Sequence, residues 1–456
     1  MNSHRKQLIS LAHPVYLSLL ASVAAGIINT VWVARLGGPA VTAVAVATTT
    51  ENVLLGIALV FASGTTVLVA HARGARDPAA LRSAIRGGWA LCALVTPVVV
   101  AAGFLFREPL ARLLLGGTGP ELPLTVAYFT ISLPGIAVFY AQQLVDGILK
   151  GAGDTRTPMR LALLANGLIL VCDPFLIHRC GVQGAAASTV LCRVLALAVG
   201  LRALRRNALL RTKAGPAGSV TAALRRTFTT GLPMSADFTV RQGGALVLVA
   251  IVARLGVSAV AAYAIGYKVL YVATMAFYSV RQAASIHTAH LRGTGKDARR
   301  EIGRQAMLVS GTVGVVAAVL LCAAAPWIMA AFGTGPQVAH EGALFLRCVG
   351  PYLLLMACFI ALGGVFEGSG GAPALLRVTV LGTAVQLPLA YGLSGLGLPG
   401  VCLAMALSMG VQCAVVAVLF RRDRARPADR GAAGERRPVD ADGRGAVRTA
   451  ARRHRP

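Results

Sequence analysis

Twelve long, mainly apolar stretches divide this chain, and they restrict its fold more than any other feature. Each has about the length that a helix needs to cross the hydrocarbon core of a bilayer. Charged residues make up only 13% of the 456 residues, about half the share of an ordinary soluble protein. We therefore expect an all-α integral membrane protein with about twelve transmembrane helices. The stretches are 8–34, 43–70, 84–106, 124–148, 158–178, 181–203, 229–254, 262–289, 303–332, 341–366, 375–396 and 397–420.

Basic residues are distributed unevenly among the connections between these stretches. With the N-terminus inside, 34 of the 44 Lys and Arg residues fall on the inner side and five on the outer side. Cytoplasmic connections carry such an excess. We therefore predict a multi-pass protein of the cell membrane with both termini cytoplasmic. The bilayer, and not nucleic acid, is the expected partner of the net charge of +27, because the cations separate apolar stretches instead of forming one polar basic face.

Reactive side chains show no pattern typical of an enzyme or a metalloprotein. The nine cysteines include no CxxC pair and lie almost all within apolar stretches. This placement is typical of small core residues. We find no catalytic triad, phosphate-binding loop or metal-ligand cluster, and we expect neither enzymatic activity nor a cofactor.

The two halves of the chain repeat short motifs at a nearly constant offset. Val33–Gly37 recurs as Val252–Gly256, and the pattern His-x-Arg-Gly occurs at 71–74 and at 290–293. A duplication of six helices predicts two lobes related by a pseudo-two-fold axis along the membrane normal, as in alternating-access transporters. The predicted division is an N-terminal lobe (1–203), a cytoplasmic linker (204–228), a C-terminal lobe (229–420) and a disordered basic tail (421–456).

The order of several motifs resembles the multidrug and toxic compound extrusion (MATE) family over about residues 10–420. The resemblance implies two six-helix lobes around a central cavity, and export of organic compounds driven by protons or sodium. The motifs are Pro14, Val33–Gly37, Ala43–Ala47, Gly151–Pro158, Asp173-Pro174 and Gly184–Thr189, with the repeats in the second half.

Three positions depart from what the resemblance implies. Asn29 stands where the family commonly has a cavity-facing aspartate, and Arg241 stands where sodium-linked members often have a glutamate. Met356 lies at about the position of an aspartate in the same branch. We therefore expect protons, more than sodium, to be the coupling ion.

Asp173 is the main candidate for proton coupling. It lies about five residues from the outer end of its stretch, and its counterpart in the second half is Leu387. A carboxyl in a dry site can gain and lose a proton near neutral pH. The structural alternative is that Asp173 only forms an ion pair with Arg193.

Three further polar residues belong to the predicted coupling site. Asn29 and Glu51 fall at depths similar to that of Asp173, and Asn166 lies seven residues before Asp173 on nearly the same helix face. Glu51 supplies a second carboxylate in one interpretation and faces a polar outer vestibule in the other.

In the second half, four basic residues within the stretches, Arg241, Lys268, Arg281 and Arg347, face one acid, Asp237, a balance of +3. Counting depth places Arg281 near Asp237, which leaves Arg241 and Lys268 free, although Arg241 also lies one turn from Asp237. Tyr267 and Tyr271 either line a cavity or anchor the helix at the interface. The predicted substrate cavity comprises Arg193, Asp237, Arg241, Tyr267, Lys268, Tyr271 and Arg281.

The leading functional hypothesis is a monomeric secondary transporter that exports small organic compounds in exchange for protons. Its alternative is a lipid or glycolipid flippase of a related superfold, for which a larger and more cationic cavity is expected. One acidic and one cationic, aromatic wall would suit an aromatic substrate that carries an acidic group. The sequence does not identify the substrate.

Overall fold

The computed structural model describes residues 3–117, 119–207, 219–333 and 335–422. The described elements are all helical, and a single 3-10 turn at Ser394–Leu396 precedes the last of them. The helices are α1 (Ser3–Ala34), α2 (Gly38–Gly74), α3 (Pro78–Leu105), α4 (Arg107–Leu115), α5 (Glu121–Gly151), α6 (Arg156–Arg206), α7 (Val220–Ala253), α8 (Val257–Gly293), α9 (Arg299–Ala331), α10 (Pro336–Cys348), α11 (Gly350–Ser369), α12 (Ala372–Leu393) and α13 (Leu398–Arg422).

Eleven of the described helices are long and apolar enough to cross a membrane. Helix α6 has 51 residues, about 77 Å at 1.5 Å per residue, which is more than twice the thickness of a hydrocarbon core. Gly181 interrupts it with φ 57° and ψ −134°, a backbone conformation that glycine adopts readily. Helix α6 thus contains two spans, and the prediction of about twelve crossings, six in each half, is confirmed.

Two short helices were not predicted. Helix α4 follows the third span of the first half, and α10 follows the third span of the second half. The stretch predicted at 341–366 therefore comprises two helices, and only α11 is a candidate span. Gly350 and Pro351 begin α11, and proline in the first turn is compatible with a new helix but not with continuation of the preceding one.

Helix α7 begins at Val220, inside the predicted linker, although its first turns are polar. Close packing on α2 and α3 accounts for this early start. A Cβ added to Gly87 would lie 2.6 Å from the carbonyl oxygen of Ala223, and one added to Gly64 would lie 2.6 Å from that of Thr227. Residues 208–218 of the predicted linker, and nearly all of the predicted tail, lie outside the described residues, so the domain division stays a prediction.

The two halves meet along the end of α2 that is predicted to be cytoplasmic. Ser235 on α7 donates a hydrogen bond to the carbonyl oxygen of Gly56 at 2.6 Å. Further inward, a Cβ on Gly231 would lie 1.7 Å from the carbonyl oxygen of Val60. At the inner end, Gly74 packs on α8 and Gly293 packs on α2. A Cβ added to either glycine would lie 2.1 Å or less from a histidine carbonyl oxygen of the other helix. The repeated glycines therefore permit backbone contact between the halves. We call this contact, from Gly56 to Gly74 on α2, the inner seam.

Candidate functional site

Asp173 lies in the first half, buried between α6 and α1. The side-chain amide of Asn29 donates a hydrogen bond to Oδ2 of Asp173 at 2.7 Å. The other carboxylate oxygen, Oδ1, is buried and has no hydrogen-bond partner among the described residues. The buried hydroxyl of Ser188 lies beside it and likewise has none. The immediate environment of this carboxyl is therefore polar but neutral.

Arg193 does not pair with Asp173. Its Nη2 atom contacts Oε2 of Glu51 at 3.1 Å, and its guanidinium lies 4.9 Å from the ring centre of Phe139. The structural alternative for Asp173 was therefore wrong, because the arginine reaches across to α2 instead. Glu51 is present near the predicted depth, but as the partner of a cation.

Asn166 also lies on α6 and faces α1, but it does not contact Asp173. Its side-chain amide donates to the hydroxyl of Ser22 at 3.2 Å. Ser22 and Asn29 on α1 are seven residues apart, as are Asn166 and Asp173 on α6, so the two hydrogen bonds lie two turns apart along the same pair of helices. Polar side chains thus connect α1 and α6 from Asp173 inward.

Asp237 is the centre of a buried charge cluster in the second half. Nη2 of Arg241 lies 2.5 Å from its Oδ2 atom, and Nη2 of Arg281 lies 2.7 Å from the same oxygen. Thr379 on α12 donates its hydroxyl to Oδ1 at 2.5 Å. The expectation that Arg241 is left free was wrong, since one carboxylate accepts from both arginines.

Glu367 completes this cluster and was missed by the sequence reasoning. Arg281 donates to its Oε1 atom from Nη2 at 2.6 Å and from Nε at 3.1 Å. Two acids therefore balance two arginines in what we call the charge cluster (Asp237, Arg241, Arg281 and Glu367), and the predicted excess of positive charge is not found there. The internal repeat offered a way to find Glu367, because this residue aligns with the charged Lys150 of the first half. Glu367 also lies on α11, the span that packs against α8.

The other two predicted intramembrane cations are exposed. Lys268 lies on the outer part of α8, and Arg347 lies near the end of α10.

The tyrosines of α8 lie along one face with Arg281. Tyr267, Tyr271, Tyr278 and Arg281 follow spacings of four, seven and three residues, which keep them on one side of a helix. The first two are 36% and 44% exposed, whereas Arg281 is 4% exposed. The side chains of this face are therefore buried at the charge cluster and exposed nearer the start of α8. Tyr263, by contrast, is buried and stacks on Tyr267 with 5.8 Å between ring centres.

Asp146 on α5 is a second carboxyl that the sequence reasoning missed. Its Oδ1 atom is buried without a hydrogen-bond partner among the described residues. Unlike Asp173 it lies one turn before a lysine, Lys150, whose charge acts on it. No three His, Cys, Asp or Glu side chains in the described part of the chain lie together as a metal site requires.

Two bundles of six spans, joined by backbone contact at one end and each containing buried charged groups, define a membrane transporter. The sequence profile of the family described as MatE matches residues 14–175 and 233–392, which is most of both halves. The chain belongs to the MATE family of membrane transporters.

The chain resembles several proteins of this class. It is 24% identical over 396 residues to a probable multidrug resistance protein NorM of Thermotoga maritima, with 85% of each chain covered. It is 23% identical over 362 residues to a FAD transporter of Shewanella oneidensis, with 77% of this chain and 78% of the relative covered. A crystal structure of MATE in complex with MaL6 superposes with a TM-score of 0.86 at 20% identity, covering 93% of this chain and 97% of that one.

Arg281 should be the cation on which the stability of the second half depends. Replacing it by Met leaves Glu367 without its partner and removes one of the two arginines that contact Asp237. We therefore expect the free energy of unfolding to fall by about 3 kcal/mol and the thermal unfolding midpoint to fall by several degrees. The double variant Arg281→Met/Glu367→Gln should recover part of this loss, because it removes the unpaired charge. Arg347→Met, at an exposed arginine, is the control. An Arg281→Met protein that melts together with this control contradicts the assignment.

Proposed function

We propose that this protein exports small organic compounds in exchange for protons, with Asp173 as the proton-carrying group. The observation that carries the proposal is the difference in partners among the buried acids. Glu51, Asp237 and Glu367 are each paired with arginine, and Asp146 lies one turn from Lys150. A nearby opposite charge favours the ionised form of a carboxyl. Asp173 has only neutral neighbours within hydrogen-bond distance, so no opposite charge offsets the cost of burying its charged form.

This environment gives protonation a mechanical consequence. Ionised Asp173 holds Asn29 of α1 through a charge-assisted hydrogen bond, which is stronger than a neutral one. Proton binding weakens that bond and removes the cost of burying the charge. Packing of α1 against α6 then differs between the two protonation states, and the first half can alternate between accepting and releasing a substrate.

The family supports the export of organic compounds, and the relatives support more than one substrate class. One relative is called a multidrug resistance protein and another a FAD transporter. A lipid or glycolipid flippase is the alternative function, and such a protein would move lipid without a proton gradient. Reconstituted protein that scrambles labelled lipid and ignores the gradient would replace the proposal.

Removal of the acid at Asp173 should abolish proton-driven export without loss of folding. In proteoliposomes that carry an imposed pH gradient, Asp173→Asn should reduce the gradient-dependent export of a fluorescent compound to the level of empty vesicles. Replacing sodium by potassium should change nothing. Persistent gradient-driven export by the Asn variant, or export that stops without sodium, contradicts the proposal.

Asp297→Asn is the matched control for this experiment. Asp297 lies in the connection between α8 and α9, where hydrogen bonds from Arg299 hold the pKa of its carboxyl below the ordinary value. It stays ionised throughout the working pH range, cannot carry a proton, and its variant should export like the wild type.

We also propose that both termini are cytoplasmic, because this orientation would put 34 of the 44 basic residues on the cytoplasmic side and five on the outer side. In a variant without native cysteines, a cysteine at Gly117, where a side chain meets open space, should react with an impermeant maleimide added to intact cells. A cysteine at Lys296, between α8 and α9, should react only after the cells are opened. Reaction of the Lys296 variant in intact cells contradicts this topology.

A further inference from the structure

Arg241 has hydrogen-bond donors that the protein does not use. Its Nη2 atom contacts Asp237, whereas its Nε and Nη1 atoms are buried and have no acceptor among the described residues. An unpaired buried N–H group of a charged side chain is costly. Arg241 is therefore only partly satisfied, and an external acceptor that engages more of its N–H groups would be favourable.

The charge cluster does not require Arg241 to stay in place. Asp237 also accepts from Arg281 and from Thr379, so it keeps two donors when Arg241 turns away. Arg241 is also the more accessible of the two arginines, with its side chain 19% exposed against 5% for Arg281. The arrangement thus combines a fixed arginine with an exchangeable one.

Arg241 lies where the inner seam ends and the tyrosine face of α8 begins. Thr239, two residues before it, is within 3.1 Å of the Cβ position of Gly56, the outermost residue of the seam. The guanidinium of Arg241 lies 5.7 Å from the ring centre of Tyr278. Tyr352 on α11 is close enough to interact electrostatically with Arg241 and Tyr278, and the exposed Tyr267 and Tyr271 continue this face outward.

These groups match a particular kind of ligand. A planar guanidinium binds a carboxylate through two parallel hydrogen bonds, and tyrosine rings stack on aromatic systems while their hydroxyls hydrogen-bond. We propose that Arg241 and the tyrosine face, Tyr267, Tyr271 and Tyr278, form a binding site for aromatic compounds that carry a carboxylate or phenolate. The inference rests on the proposed export function, because it assigns a substrate class to that pathway.

In this site the ligand carboxylate competes with Asp237 for Arg241. Binding transfers the exchangeable guanidinium from an internal acid, which it contacts through Nη2, to an external one that it can contact through two nitrogens. A cationic aromatic compound is repelled by Arg241, so its binding should not weaken when this residue is removed.

The test uses two dyes with the same xanthene ring, the anion fluorescein and the cation rhodamine 123. Their binding to purified full-length protein in nanodiscs is measured by fluorescence anisotropy, without any ion gradient. Arg241→Gln should weaken the binding of fluorescein by about tenfold or more and should not weaken that of rhodamine 123. Arg347→Gln, which removes an exposed cation elsewhere in the same half, should alter neither.

A second variant separates recognition from folding. Asp237→Asn removes the competing carboxylate, while Arg281 keeps Glu367 as its partner, so fluorescein should bind more tightly than to the wild type. A misfolded protein would not gain affinity. Equal changes for both dyes, no gain in Asp237→Asn, or no fluorescein binding by the wild type would overturn the proposal.

Proton coupling can fail separately from this site. If the dye results hold but export ignores a pH gradient, the coupling proposal is wrong and the binding site stands.

Discussion

The guanidinium of Arg281 is the interaction on which the second half depends. It lies on α8 and donates to Asp237 of α7 and to Glu367 of α11, so a single side chain ties three helices together in a medium where no water is available to solvate a lone charge. Gly364 allows this approach, because a Cβ there would lie 2.2 Å from the carbonyl oxygen of Arg281. Close packing of glycine and the pairing of each arginine with an acid therefore occur at the same place.

The same constraint gives the two halves different chemistry. In the second half, arginines neutralise the buried acids. By the repeat offset of 219, these arginines stand where the first half has Ser22 and Ala62. In the first half Asp173 keeps neutral partners, which suits a group that exchanges a proton. A duplicated scaffold can in this way assign proton coupling to one half and, by the proposal above, recognition of acidic ligands to the other.

The sequence predicted the twelve crossings, their division into two halves and the family, because the length of apolar stretches and the repetition of motifs can be read directly along the chain. It also placed Asn29 at a depth similar to that of Asp173, in the same predicted coupling site. It failed for Arg193, Arg241 and Glu367, because depth along a helix can be counted whereas the direction of a side chain around the axis depends on how helices pack. Glu367 was overlooked since it lies near the end of α11, where a charge is ordinarily solvated.

The central claim is that Asp173 is the single coupling group, since the other intramembrane acids predicted for the site are held by arginine. The direct test is the number of protons exchanged per substrate, obtained from the membrane potential at which net transport by the reconstituted protein stops at fixed gradients. The account predicts one proton per cycle. A ratio of two would contradict it, and Asp146 would then be the next carboxyl to examine.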